Sequence, residues 1–124
     1  MHRRAGFTLV ELLIVMAIIA TLMTIAVPRY FSSLENSKET ALRQSLSVMR
    51  EALDHHYGDT GRYPDSLEAL VDKRYLRQMP VDPITERSDL WVILPPPAGA
   101  EGLVGDVKSG APGVARDGTA YAEW

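Results

Sequence analysis

Glu11 is the residue most in need of a chemical explanation, because it sits inside an otherwise apolar stretch, FTLVELLIVMAIIATLMTIAV, residues 7–27. A carboxylate costs about 2.5–3.5 kcal/mol at a bilayer centre and less near the interface, so it calls for a partner. In one reading Glu11 lies near the headgroups and favours the positive end of its own helix. Another follows if the chain is cut between Gly6 and Phe7. Phe7 then carries a free, positively charged amine one helical turn from Glu11 on the same face. Within one chain that amine partly neutralises the acid. Between chains it marks register, the acid of one helix meeting the terminus of a staggered neighbour.

Little else in the chain could do chemistry. The histidines are His2, His55 and His56. Adjacent helical residues point about 100° apart, so His55 and His56 do not converge on a metal, and a solvated helix end is expected there. No Ser/His/Asp grouping or glycine-rich phosphate loop stands out, so an enzyme is not expected. The absence of cysteine removes thiol chemistry and disulfides. A small domain outside the membrane is then held by its core, its neighbours or an ion. With a net charge of −3 and two arginines in residues 1–6, the body is mildly acidic. Nucleic-acid binding, which draws its affinity from neutralising phosphates, is not expected.

The element that carries Glu11 reads as a membrane span. Residues 7–27 reach roughly 30 Å at about 1.5 Å per residue. A helix apolar on every face is a span or a fully buried core helix, and a chain of 124 residues is too small to enclose it. Arg3 and Arg4 precede the run and only Arg29 follows closely, which places the N-terminus in the cytoplasm. The competing expectation is a secretory signal removed whole after Thr24-Ile25-Ala26. Pro28 follows that site closely, however, and Glu11 interrupts the apolar region. Pro28 itself is expected to kink or end the helix, lacking an N–H.

Beyond the span, residues 30–57 turn amphipathic. Leu34, Ala41, Leu42, Leu46, Met49, Ala52, Leu53 and Tyr57 recur at three- and four-residue steps. Glu35, Lys38, Glu39, Arg43, Arg50 and Asp54 take the other faces, and Gly58 is the expected stop. A turn at residues 61–64 leads to a short helix over 65–70, capped by Asp65 or Ser66, with Glu68 completing a capping box if Asp65 is the cap. Residues 79–83 form a loop pinned by prolines, and residues 90–94, 102–108 and 119–124 are candidate strands. The expected fold is α+β: a long N-terminal helix, transmembrane in its first half, packed on a small antiparallel β-sheet. The expected division is a leader at 1–6, a transmembrane assembly helix at 7–28 and an exposed domain at 29–124.

The run Gly6-Phe7-Thr8-Leu9-Val10-Glu11-Leu12-Leu13, between a short Arg-containing leader and an unbroken apolar helix, resembles the start of type IV pilins and pseudopilins. That resemblance implies cleavage between Gly6 and Phe7 by a prepilin peptidase, methylation of the new Phe7 amine, and use of Glu11 in assembly. Further on come Arg62-Tyr63-Pro64 with Leu67 and Leu70, then Pro80-Val81-Asp82-Pro83. With the ending Gly105-Asp106-Val107-Lys108-Ser109-Gly110, Asp117-Gly118 and Trp124, they are similar to the major pseudopilin of type II secretion systems.

The resemblance implies a structural subunit of the bacterial inner membrane, with residues 29–124 in the periplasm, polymerising with itself into a pseudopilus. Its implied partners are minor pseudopilins, the inner-membrane assembly platform and its ATPase, and membrane lipid. A pilin of a type IV pilus or DNA-uptake filament shares every N-terminal feature and is the alternative. In that family a C-terminal loop commonly binds calcium. The positions here with side-chain oxygens to offer are Asp106, Ser109 and Asp117. Residues 109–118 depart from the usual pattern: they lack clustered acids and place Arg116 beside Asp117, where it could pair with an aspartate instead.

Overall fold

The computed structural model of the protein describes residues 6–124; residues 1–5, with both leader arginines, lie outside the described residues. The structure divides into two compact units, one ending at Glu35 and one spanning Asn36–Trp124. The first helix, α1, runs Leu9–Thr60.

In the first unit every side chain from Phe7 to Tyr30 is exposed. The apolar part of α1 has a mean hydropathy of 2.6 and none of it is buried. Such a surface requires lipid or other apolar helices around it. Its threonine hydroxyls are satisfied within the helix. Thr21 Oγ1 donates to Ala17 O and Thr24 Oγ1 to Ala20 O, both at 2.8 Å, which makes these hydroxyls tolerable in a medium that offers no partners. Pro28 lies inside α1 rather than at its end. The ring costs the helix one donor there, and the flanking turns carry the helix past it.

The second unit is built on the far end of α1. Leu42, Leu46, Met49, Ala52 and Leu53 are buried, whereas Leu34, Ala41 and Tyr57 of the expected stripe are exposed. The buried face continues to His56, not Tyr57, because the steps from 42 to 46, 49, 53 and 56 keep to one line of the helix. Gly58 does not stop the helix. It ends at Thr60, where Gly61 takes the left-handed conformation (φ 73) and its N–H still reaches Tyr57 O at 2.8 Å. A second helix, α2 (Leu67–Asp72), is capped by Ser66, whose Oγ accepts from Ala69 N at 3.1 Å. Leu67 and Leu70 then close over α1 in one core with Leu76, Trp91, Val104 and Val107.

The sheet has two strands, β1 (Val92–Leu94) and β2 (Asp106–Lys108), antiparallel with Ile93 opposite Val107. Residues 119–124 do not form the expected strand. A single bridge links Val114 to Ala120, and Tyr121–Glu123 is a short 3-10 turn. Edge-on packing of the Tyr121 and Trp124 rings, 5.2 Å between centroids, curls the segment back instead.

After β2 the chain passes so close to Leu90 that a Cβ on Gly110 would lie 2.1 Å from the Leu90 carbonyl oxygen. Backbone must move to admit it. Gly110→Ala is therefore expected to destabilise the fold by about 2–3 kcal/mol. Thermal unfolding of the full chain in detergent micelles checks this, and an unchanged Tm would show that the backbone at Leu90 and Gly110 can part without cost.

Candidate functional site

The N-terminal end of α1 is organised by Thr8 and Glu11. Thr8 is the residue before the helix. Its Oγ1 accepts from Glu11 N at 3.1 Å, and Glu11 Oε2 accepts from Thr8 N at 3.0 Å. The two residues satisfy each other's backbone donors reciprocally, a capping box. The sequence signal was available, since Thr-x-x-Glu ahead of an apolar run is the pattern of this motif. What the box does chemically is hold the carboxylate at the positive end of the helix, where an anion is favoured. Glu11 Oε1 has no hydrogen-bond partner among the described residues, so half of the carboxylate faces outward. Phe7, next in line, is 89% exposed. Both readings of Glu11 are thus compatible with one geometry: it caps its own helix with one oxygen and offers the other.

His55 is exposed, but His56 is 1% exposed, contrary to the expected solvated end. Its ring meets Tyr75 edge-on at 5.3 Å, and Nδ1 lies 2.8 Å from Arg62 O. A carbonyl only accepts, so Nδ1 carries the proton. The ring ties the end of α1 to the turn that follows it.

The three candidate calcium positions each have other partners. Asp106 Oδ1 accepts from Arg50 Nε at 3.0 Å. Ser109 is fully buried, and its Oγ donates to Asp82 Oδ2 at 2.5 Å. Asp117 Oδ1 accepts from Thr119 Oγ1 at 2.6 Å and Thr119 N at 3.0 Å, while Oδ2 faces Arg43 at 3.4 Å. The Thr119 hydrogen bonds, helped by Arg43, hold the Asp117 carboxyl below the usual carboxylate range. Among the described residues no three His, Cys, Asp or Glu side chains gather as a metal site. In this arrangement Asp106 and Asp117 each face an arginine and Ser109 is engaged by Asp82, whereas a calcium shell gathers six to eight oxygens around one point.

Asp82 was not anticipated. It is a 1% exposed carboxylate whose Oδ1 accepts from Ile84 N at 2.8 Å while Oδ2 accepts from Ser109 Oγ. Asp82 and Pro83 were legible only as part of a proline-pinned loop and of the family resemblance, because the buried partner of Asp82 is Ser109, 27 residues away.

Comparison with known proteins places these features. The model of the prokaryotic N-terminal methylation motif matches residues 1–27. The chain is 34% identical over 98 residues to the type II secretion system core protein G of Pseudomonas aeruginosa, covering 66% of this chain and 69% of the relative. Against core protein G of Klebsiella pneumoniae the identity is 29% over 140 residues, covering 100% of this chain and 96% of the relative. Competence protein ComGC of Halalkalibacterium halodurans is 31% identical over 75 residues, 60% of this chain and 74% of the relative. No solved structure matches the chain at a significant level.

Proposed function

The chain belongs to the family of the type II secretion system core protein G, and from that premise we propose that it is the structural subunit of a secretion pseudopilus. The observation that carries this is the match along the whole chain to core protein G, beside a shorter match to the competence relative. Self-assembly into a pilus-like filament and processing by prepilin peptidase come with the family, as does a single pass through the inner membrane by the apolar half of α1. The chain acts by packing, not by catalysis.

The finer assignment follows from the residues. Prepilin peptidase cuts between Gly6 and Phe7, and the new Phe7 amine is methylated. Glu11, held by Thr8, presents its outward oxygen to the Phe7 amine of a neighbouring stem, and the apolar faces of the stems supply the rest of the contact. The N-terminus lies on the cytoplasmic side and the second unit on the periplasmic side. Minor pseudopilins, the assembly platform and its ATPase complete the set of partners, and lipid surrounds the subunit before assembly.

Intact mass of the protein taken from its native membrane tests the processing. The expected species begins at Phe7 and is heavier by one methyl group. Retention of residues 1–6 in a working protein would sink the reading.

A further inference from the structure

Three side chains on one face of α1, Glu39, Arg43 and Arg50, reach across to the C-terminal segment. Steps of four and seven residues keep them aligned along the helix. Arg50 does most. Its Nε donates to Asp106 Oδ1 at 3.0 Å, and Nη2 donates to Val107 O at 3.0 Å and to the Trp124 backbone oxygen at 2.8 Å. Arg43 stacks over the Trp124 ring, 3.9 Å from its centroid, and pairs with Asp117. Glu39 Oε1 accepts from Arg116 N at 2.9 Å and from Tyr121 Oη at 3.2 Å.

The oxygens gathered by Arg50 are a side-chain carboxylate and a backbone carbonyl of β2 and the backbone oxygen of Trp124. That is the kind of set a hard cation collects. Here the positive charge is supplied by a guanidinium, whose planar fork of donors satisfies several acceptors at once and whose charge is permanent. A divalent ion approaching Asp106 or Asp117 would meet an arginine already in place, while Ser109 is turned inward to Asp82.

We propose that Arg50, with Glu39 and Arg43, locks the C-terminal segment onto α1 in place of a calcium ion, so that the fold of this chain does not depend on divalent cations. The lock is a property of the single chain and is read without filaments, so its failure would leave the pseudopilus reading standing.

The test uses the full chain in detergent micelles, with unfolding followed by near-ultraviolet circular dichroism of Trp91 and Trp124. A bound ion stabilises only the folded state. The expected Tm is therefore the same in EDTA and in millimolar calcium chloride, to within about 1 °C, whereas Arg50→Gln lowers it by about 5–10 °C in both. Arg50→Lys, which keeps the charge and loses the fork, falls between. A natural chain that melts several degrees higher in calcium than in EDTA overturns the proposal, as does an Arg50→Gln variant with unaltered Tm. If Arg50→Gln does not fold, the comparison of EDTA with calcium on the natural chain decides alone.

Discussion

Glu11→Val is expected to insert into the membrane as well as the natural chain and to lose filament formation almost completely. Insertion improves if anything, because the one acid in the apolar run is gone. Assembly suffers for two separable reasons. The valine removes the Oε2 that accepts from Thr8 N, and it removes the charge offered outward. A cap costs about 0.5–2 kcal/mol when deleted. Leaving the neighbour's amine unanswered in a medium of low polarity costs more, about 2.5–3.5 kcal/mol on insertion scales. At about 1.4 kcal/mol per factor of ten, the charge accounts for roughly a hundredfold weaker subunit addition and the cap for several-fold.

Two further variants separate these contributions. Glu11→Gln keeps an oxygen for Thr8 N and loses the charge, so it is expected to fail nearly as badly as Glu11→Val. Thr8→Val keeps the charge and loses the hydroxyl that accepts from Glu11 N, so it is expected to assemble with a several-fold lower yield. Crosslinking between stems in membranes, with sheared filament measured in parallel, reads both. Filaments at natural yield from Glu11→Gln would reduce Glu11 to a helix cap.

The difference between what was legible and what was not follows sequence separation. Glu11 is an anomaly against its immediate neighbours, and the span, the amphipathic half of α1 and α2 are periodic or capped locally. All were readable from the chain. His56 was readable too, on the line through Leu46, Met49 and Leu53, but a histidine beside Tyr57 reads first as polar surface. The residues that hold the C-terminal segment were not. Arg43 and Arg50 look like the solvated face of a helix until their hydrogen-bonding partners, 56 to 74 residues later, and the Trp124 ring over Arg43 fold back upon them. Residues 119–124 contain tyrosine and tryptophan and so resemble a strand. Packing of the two rings against each other, Arg43 over Trp124, and the bonds from Arg50 and Glu39 turn the segment away from the sheet.

Asp82→Ala is expected to be the most damaging single change in the second unit. The carboxylate is buried with no ion pair among the described residues, and three donors hold it: Ile84 N, Thr85 N at a longer 3.4 Å, and Ser109 Oγ. Alanine strands those donors in the interior, at about 1–3 kcal/mol for each that finds no other partner. A loss of about 3 kcal/mol or more is a large share of the 5–15 kcal/mol by which a domain of ordinary stability holds together. Ser109→Ala removes one donor and leaves Oδ2 buried and bare, so it is expected to cost about 2 kcal/mol. If the two residues act chiefly on each other, the double variant costs much less than the sum, because neither is then left with an unanswered partner. A coupling of about 1.5–3 kcal/mol is the expected result of that cycle, measured by thermal unfolding of the full chain in detergent. Additive losses would mean that Asp82 serves only its own turn, through Ile84 N, and that something other than the Asp82–Ser109 bond joins the proline loop to the segment after β2.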